Sequence, residues 1–437
     1  MSEVKQTPAA LVRLAQRRGA IAAEALVASS DQRSWRTGAA APERNQASLM
    51  AVRVYVDGGG VGEATRGALQ AEGHAELVEE ALALARKAAP DPLAGPSHRL
   101  DIVTRGLGVL DSRQAHLTDP DRAEVLEWNA EGARDLLPDG HTAAFAYREL
   151  LDLRAYASSR GVEAAESSTR FGLHGQIFRE GLPLLSAENA SRTFADIASR
   201  PLGVDLARLV EAMGRRASLP EGAPPLVLSP LFVSQLLPEV AMAFDREKVE
   251  AGQGFLAGRM GSKIASPLVH ILDDGGLPGA LATRAFDDRG VPPSVIPLVR
   301  EGVAHGLYQG VERARQREQR PSGHCALGGG LWLGNLVVRP GTRTRNMIFP
   351  ELKAFVVVEA AVGRVRFDLQ SGEVQATVRA FRGEGQGIIG YCGELLLRCP
   401  IEALLLSVVE LASDHERHGI VDSPSWVLRG PTLSPAP

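Results

Sequence analysis

The sequence predicts an α+β protein with two domains, a mixed helix and strand domain followed by a strand-rich, mostly antiparallel domain. Helical and strand patterns alternate up to about residue 219, whereas strand patterns dominate the residues that follow. The segment Pro220–Pro225 holds three prolines and a glycine but no large apolar residue, which is typical of a linker. We therefore expect domains over residues 1–219 and 220–430 and a disordered tail over residues 431–437.

Length and composition support this organisation and exclude some functions. A chain of 437 residues is too long for one ordinary core. Its hydrophobic content of 44% and charged content of 23% are those of a globular protein. The net charge of −4 and the pI of about 6.2 give no electrostatic reason to expect nucleic-acid binding, which needs a basic surface.

The distribution of cysteines and apolar residues favours a cytoplasmic protein. Only Cys325, Cys392 and Cys399 are present, and so small and odd a number argues against a disulfide framework. The N-terminus begins Met1-Ser2-Glu3-Val4-Lys5 and lacks the apolar core of a signal peptide. We expect no membrane span, because no apolar run approaches the roughly 18–20 residues that one needs.

The first half of the chain contains clear sequence signals for helix starts and for turns. Thr7-Pro8 favours a helix with Thr7 as its N-cap, and Asp119-Pro120 favours another with Asp119 as its N-cap. Alternating valines predict a strand over Leu49–Val56, which the turn signal Asp57–Gly60 follows. Apolar spacing further predicts strands over 21–29 and 141–178, the latter broken at Ser159–Gly161, and helices over 75–88 and 204–213.

The second half opens with a strand at Leu226–Leu228 and a helix through Val233, Leu236, Leu237, Val240 and Met242. A glycine-punctuated loop follows over Gly252–Gly261. Strand patterns then cover 267–272, the hairpin 295–299 and 303–307, and the predicted antiparallel strands 355–359, 364–369, 374–381 and 394–398. Pro400 is expected to begin a last helix that runs through Leu411 and ends at Gly419.

Two glycine-rich stretches superficially resemble nucleotide-binding loops. The run Gly58–Gly62 follows a strand, but Glu63 stands where the third glycine of G-x-G-x-x-G belongs, so a hairpin turn is the better interpretation. The stretch Gly258–Lys263 ends in Ser-Lys, the reverse of the phosphate-loop order, and its spacing is too short. Neither stretch predicts a cofactor.

The histidines and cysteines offer three clusters that could carry chemistry. His415 and His418 lie three residues apart, whereas a zinc helix of the commonest kind needs H-E-x-x-H, so we interpret them as cations in a last helical turn. His324-Cys325 could be a nucleophile and base, but adjacency in sequence does not supply that geometry. Cys392 and Cys399 lack further soft ligands at zinc-finger spacing and are interpreted as small buried residues.

Two acidic pairs leave two interpretations open. Asp273-Asp274 and Asp287-Asp288 could supply carboxylates to a hard cation. They could equally be turn residues whose side chains accept hydrogen bonds from the local backbone, which the sequence alone favours.

The order of motifs resembles that of the TldD/PmbA family, whose members were once called modulators of DNA gyrase. The resemblance covers most of the chain. In the second half it rests on Gly258–Pro267, Leu272–Gly275, Phe286–Gly290, Arg300–Val303, Ser322–His324 and Asn335–Gly341. In the first half it rests on Ala51–Glu63, Gly106–Asp111, the helix after Asp119-Pro120 and Ala157–Glu163.

The resemblance implies a zinc site that this chain lacks. In the TldD branch a helix before the glycine loop carries H-E-x-x-x-H, and a cysteine in a C-G-K motif completes the zinc site. Here the two histidine positions fall on Leu237 and Met242, and the glutamate position falls on Pro238. Cys392 lies in a different context, Gly-Tyr-Cys-Gly-Glu. The chain therefore resembles the TldE/PmbA branch, which lacks the zinc site, and we expect no catalytic residue, metal or cofactor.

This resemblance implies a non-catalytic subunit that pairs with a TldD-like zinc peptidase chain in the cytoplasm and acts on small or unfolded peptides. The alternative belongs to a different functional class. It is a stand-alone, self-associating protein that binds a peptide or small molecule without peptidase activity. A third, weaker hypothesis is an active enzyme with displaced ligands such as His415, His418 and a cysteine.

Overall fold

The structure is a computed structural model that describes residues 2–39, 41–67, 73–98, 100–385 and 387–435. The α-helices in these ranges are α1 (Ser2–Arg17), α2 (His74–Lys87), α3 (Asp119–Arg134), α4 (Phe194–Ala198), α5 (Leu202–Gly214), α6 (Pro230–Ala241), α7 (Arg246–Glu250), α8 (Val311–Gln316), α9 (Arg345–Leu352) and α10 (Ile401–Leu406). No helix within the described ranges is both long and apolar enough to cross a membrane.

The strands of the first half are β1 (Ala22–Arg36), β2 (Glu43–Tyr55), β3 (Val61–Arg66), β4 (His141–Ser158), β5 (Glu163–Arg179) and β6 (Leu182–Ser191). Those of the second half are β7 (Leu226–Leu228), β8 (Ile271–Asp274), β9 (Val295–Arg300), β10 (Val303–Ala304), β11 (Asn335–Val338), β12 (Ala354–Ala361), β13 (Arg366–Phe367), β14 (Glu373–Glu384), β15 (Gly387–Pro400), β16 (Val408–Leu411), β17 (Glu416–His418), β18 (Val421–Ser423), β19 (Trp426–Leu428) and β20 (Leu433–Pro435).

The first sheet is antiparallel throughout, in the order β3-β2-β1-β4-β5-β6. Successive side chains of a strand point to opposite faces. On β1, the side chains of Ala23, Ala25 and Val27 therefore share one face, where they pack in a core with α1 and α2. The alternate residues Glu24 and Leu26 point to the other face, which meets loops of the second half.

Two further sheets form the second half. One has the order β10-β9-β8-β11-β18-β17, and the other the order β16-β19-β7-β12-β14-β15-β20 with β13 paired to β14. Only the pairs β11–β18 and β7–β12 are parallel among the described strands. Helix α6 contacts β12 of the larger sheet and β17 and β18 of the smaller one, so it lies in the core between them.

This architecture confirms the predicted fold class, a mixed first part followed by a strand-rich and mostly antiparallel second part. The first sheet ends at Ser191, and the other two begin at Leu226. Helix α5 lies between them in sequence and also packs on β15. We keep the boundary between residues 219 and 220 as a proposal.

Two helix starts differ from the prediction. Helix α1 begins before Thr7 and holds Pro8 inside it, because Val4, 5% exposed, extends the apolar face of that helix. Thr118, rather than Asp119, caps α3, and its hydroxyl accepts a hydrogen bond from the backbone N–H of Asp121. The Asp121 carboxylate accepts from the backbone N–H of Thr118 in return, which is a capping box.

The end of the chain also differs from the prediction. The last helix, α10, stops at Leu406, and Val408–Leu411 form β16 instead, paired with β19. Burial of Val408 and Leu411 in the sheet explains this outcome, since a run of apolar residues fits a buried strand as well as a helix. The expected disordered tail is wrong for Leu433–Pro435, which form the edge strand β20 and pair with β15. Proline is tolerated at such an edge. Residues 436–437 lie outside the described ranges.

Candidate functional site

Helix α6 carries the positions at which the sequence resemblance would place zinc ligands. The hydroxyl of Ser229 accepts a hydrogen bond of 3.0 Å from the N–H of Phe232, which fixes the start of the helix. Leu237 is 1% exposed in the core, Pro238 lies half-buried in the last turn, and Met242 is the half-buried C-cap. Zinc requires nitrogen, oxygen or thiolate ligands, so these side chains do not fit a zinc site of the TldD kind.

His415 and His418 are not in a helix, contrary to the interpretation from sequence. They lie at the edge strand β17, His415 just before it and His418 at its end. The Nε2 atom of His415 lies 3.3 Å from a carboxylate oxygen of Asp422, and that of His418 lies 3.2 Å from Glu416. The described part of the chain contains no group of three or more His, Cys, Asp or Glu residues placed to hold a metal.

His324 and Cys325 do not form a nucleophilic pair. The imidazole of His324 is fully buried, with Nδ1 2.8 Å from the carbonyl of Ser322 and Nε2 3.3 Å from Oδ1 of Asp273. Burial, and next the charge of Asp287, raises the pKa of the Cys325 thiol well above its usual value. A protonated thiol is a poor nucleophile, so the raised pKa does not favour a catalytic role for this cysteine.

Cys392 and Cys399 both lie on β15 and pack against the core of the second half. Burial raises the pKa of Cys399 to about 11 and also raises that of Cys392. Both cysteines are half-buried and not fully buried, and their packing against the core fits their interpretation as small apolar residues.

The glycine-rich stretches are turns and loops. Gly58 and Gly59 form the hairpin between β2 and β3 with positive φ angles of 87° and 86°, as the sequence predicted. A Cβ on Gly62 would lie 2.0 Å from the carbonyl oxygen of Ala81, so glycine there allows α2 to approach β3. The stretch Gly258–Lys263 ends beside the hairpin of β9 and β10, where the backbone of Lys263 forms an isolated antiparallel β-bridge with Val303.

The acidic pairs act partly as turn residues. Asp274 accepts a hydrogen bond from the N–H of Gly276, and Asp287 accepts from the N–H groups of Arg289 and Val291. These bonds are the local turn contacts that the sequence favoured. Asp273 differs because it is fully buried in a strand, where its oxygens accept from Tyr308 and from the N–H of Gly334.

A buried charge cluster joins the two halves of the chain. Arg289, 6% exposed, donates a 2.7 Å hydrogen bond to Glu24, which is 3% exposed on β1. The hydroxyls of Tyr55 and Tyr156 each donate to the same carboxylate at 2.6 Å. The guanidinium of Arg289 also pairs with Glu312 at 3.1 Å. We call these five residues the junction cluster.

The loop over residues 280–291 is held on the first sheet by other charged side chains. Arg154 on β4 pairs with Glu166 at 3.2 Å and with Asp288. Glu166 also accepts from the N–H of Ala285 at 2.6 Å. Arg192 donates to the carbonyls of Thr169, Ala280, Leu281 and Thr283.

A cavity of about 680 Å³ opens between this loop and the first sheet. It lies on the same face of that sheet as Glu24 of the junction cluster. Its floor includes the small residues Ala28, Ser30 and Ala47 of β1 and β2. Its walls include Leu327 and Trp332 from the second half. The sequence analysis missed this site because its residues come from both halves and share no motif.

The charged residues of this cavity are mostly arginines. Arg154, Arg170, Arg192 and Arg284 all line it. A volume of this size falls in the range of roughly 300–1,000 Å³ that is typical of small-ligand sites. The cavity can therefore hold a ligand with both apolar and polar groups, and we take it as the candidate functional site.

Comparison with known protein families adds an independent finding. Residues 221–434 match the family described as the PmbA/TldA metallopeptidase C-terminal domain. A stretch of 97 residues is 30% identical to the Haemophilus influenzae protein named metalloprotease TldD homolog, which is 22% of this chain and 20% of that protein. The chain thus matches that curated relative over about a fifth of its length.

Solved structures share the fold over nearly the whole chain. A Bacteroides thetaiotaomicron protein named as a modulator of DNA gyrase superposes with a TM-score of 0.87 at 20% identity, over 100% of both chains. A Thermotoga maritima protein of the same name gives 0.84 at 18%, over 96% of this chain and 97% of that one. TldE from Thermococcus kodakarensis gives 0.83 at 18%, over 98% and 99%. Such low identities establish the fold and not the function.

Proposed function

Because this chain belongs to the TldD/PmbA family, we propose that it is a non-catalytic, TldE-like subunit of a cytoplasmic peptidase complex. In this proposal a TldD-like chain binds the zinc and cleaves the peptide. The present chain helps to enclose the peptide and to select it. Three cysteines without a disulfide among them fit a reducing compartment.

The observation that carries the proposal is the chemistry of helix α6. The sequence resemblance places the family's zinc-motif positions at Leu237, Pro238 and Met242, and Leu237 is part of the core between two sheets. A catalytic zinc needs about three protein ligands and an open position for water. A chain with these residues would need another chain to supply the metal.

The cavity beside the junction cluster supports the peptide-binding part of the proposal. It combines the small floor residues Ala28 and Ala47 with the apolar wall of Trp332, which is 46% exposed. Small or unfolded peptides offer side chains and backbone groups that such a mixed surface can bind.

A mixing experiment tests the proposal. This chain and a TldD-like chain from the same genome would be purified separately, then assayed alone and together on an unstructured peptide with a fluorophore and a quencher. We expect cleavage by the mixture, loss of cleavage with a zinc chelator, and little cleavage by either chain alone. Full activity of the TldD-like chain alone would contradict the subunit role.

Two variants, one in the TldD-like chain and one in this chain, test which of the two chains carries the catalytic residues. A glutamine in place of the glutamate in the partner's H-E-x-x-x-H motif should abolish cleavage by the mixture. Met242→Leu in this chain conserves volume and should leave the rate within about twofold, since volume-conserving apolar exchanges are well tolerated. If this chain instead associates tightly with itself, binds peptide and never binds the TldD-like chain, the result would favour a stand-alone binding protein.

A further inference from the structure

Among the arginines that line the cavity, two already have their hydrogen bonds satisfied. Arg154 pairs with Glu166 and Asp288. Arg192 directs its donors to four backbone carbonyls. These arginines therefore hold the loop and are not free to bind a ligand.

Arg284 differs from both. It is 8% exposed, and its Nη2 donates to the carbonyl of Leu333 at 3.1 Å while its guanidinium lies 5.1 Å from the ring centre of Trp332. Its Nε has no hydrogen-bond partner, and none of the described carboxylates lies within 4.0 Å of the guanidinium. Burial, and next the charge of Arg154, lowers the pKa of Arg284.

A buried cation without a directly paired anion is energetically unfavourable, and the carboxylates of Asp287, Asp288 and Asp273 attract Arg284 only from beyond ion-pair distance. Removing a guanidinium from water has a large free-energy cost, which a paired carboxylate normally offsets. Arg170, which is exposed at the same cavity, also has no ion pair with any described residue. The lining holds four arginines against the three carboxylates of Asp152, Glu166 and Asp288, so positive charge is in excess by one.

The apolar surfaces of the cavity define the rest of the ligand. Trp332 is held by a 2.9 Å hydrogen bond from its Nε1 to Asp288, which leaves a ring face for contact. Leu281 and Leu327 also line the cavity, and Ala28 and Ala47 leave space above the sheet. The shape therefore fits a carboxylate next to an apolar side chain.

We propose that this cavity binds a peptide carboxylate, with Arg284 and Arg170 as its ligands and Trp332 as the wall for the neighbouring apolar side chain. The proposal rests on the proposed peptide-handling function and names the chemical group that is recognised. An arginine is well suited to this role because its planar fork can bind a carboxylate through two hydrogen bonds. The carboxylate can be the peptide's C-terminus or an Asp or Glu side chain.

A binding experiment with the full chain separates these two sources. The probes are a fluorescein-labelled alanine and leucine hexapeptide with a free C-terminus, the same peptide as an amide, and an amide that carries one internal glutamate. Fluorescence anisotropy measures the affinity of each. We expect the free acid or the glutamate peptide to bind about tenfold or more tightly than the plain amide. Equal binding of all three would overturn the proposal.

Variants assign the effect to Arg284. Arg284→Met should abolish the preference for a carboxylate and leave Tm unchanged or raised, because the variant removes a buried unpaired charge. Arg13→Met removes the same charge from α1, on the opposite face of the sheet, and should keep the preference. If Arg284→Met lowers Tm and keeps the preference, Arg284 is structural and the proposal is wrong.

The result can be distinguished from failure of the proposed function. If the mixture of this chain with its TldD-like partner is active but Arg284→Met leaves its preference for free-acid peptides unchanged, only the carboxylate site is wrong. If the isolated chain prefers carboxylate peptides but never supports cleavage, the subunit role is wrong and the binding site stands.

Discussion

Helix α6 and the junction cluster are two buried regions with opposite chemistry. Helix α6 lies in an apolar core to which both sheets of the second half contribute, and Leu237 is 1% exposed there. The junction cluster is charged, and its central pair, Glu24 and Arg289, joins residues 265 positions apart. The position at which the sequence resemblance places a zinc ligand is packed in the core here, whereas a charged cluster lies where the two halves of this chain meet.

The difference has a consequence for function. A core helix can be altered without touching a ligand, provided that its volume is conserved. A change in a buried charged cluster affects stability strongly, because it leaves the partner charge buried and unpaired.

The largest expected effect is on the junction cluster. Arg289→Met leaves the carboxylate of Glu24 buried without its cation and should lower the free energy of unfolding by about 3–5 kcal/mol. Urea unfolding followed by tryptophan fluorescence measures the change. The double variant Arg289→Met with Glu24→Gln should recover much of the loss, and a double variant as unstable as the sum of both singles would contradict the pairing.

The next effect is in helix α6. Leu237→Ala leaves a cavity in the core and should lower the free energy of unfolding by about 2–5 kcal/mol. Leu237→Met conserves volume and is the control, with an expected loss below about 1.5 kcal/mol. Equal, negligible losses for both variants would mean that this position is not packed as described.

A smaller effect is expected at the start of the same helix. The hydroxyl of Ser229 caps α6 at the N–H of Phe232 and also donates to the carbonyl of Glu359. Ser229→Ala should lower the free energy of unfolding by about 1 kcal/mol. Ser234→Ala is the control, since that hydroxyl bonds only to the carbonyl of Leu231 within the helix. A larger loss at Ser234 would contradict the capping role.

The smallest effect is a pH dependence of the junction cluster. Burial is the largest single influence and raises the pKa of Glu312. The charge of Arg289 and its hydrogen bond, with smaller contributions from the backbone and from Arg53, together outweigh burial, so the pKa lies below its usual value of 4.5. A lowered pKa stabilises the fold above about pH 4.5 and loses that stabilisation as the pH falls through the folded value.

Urea unfolding of the parent chain and of Glu312→Gln at several pH values tests this dependence. The stability of the parent should fall more steeply than that of the variant below about pH 4.5, and the two should run parallel above it. Parallel behaviour down to pH 3 would mean that Glu312 is not coupled to Arg289. The other titrating groups, such as Asp287, are shared by both proteins and cancel in the comparison.

Local patterns were sufficient to predict much of the fold. Helix α6 and the hairpin of β9 and β10 follow from apolar spacing and from the turn residues Glu301 and Gly302, which both have positive φ. The segment after Pro400 was mistaken for helix because an apolar run fits both structures. Pairing with β19, which is distant in sequence, decides that it becomes a strand.

The candidate site could not be predicted in this way. No local sequence pattern distinguishes Arg284 from Arg313. Arg284 is nevertheless buried in the cavity wall, whereas Arg313 lies on α8 and donates a hydrogen bond to Gln316. The pairing of Glu24 with Arg289 likewise depends on how the loop docks on the sheet. Such contacts arise from tertiary packing, and no local spacing encodes them.

Metal analysis of the purified chain, prepared without a histidine tag, tests whether this chain lacks a zinc site of its own. We expect no stoichiometric zinc after dialysis, since the sequence resemblance places Leu237, Pro238 and Met242 at the zinc-motif positions. About one zinc per chain that survives dialysis would contradict the non-catalytic subunit and direct attention to His415, His418 and the cysteines.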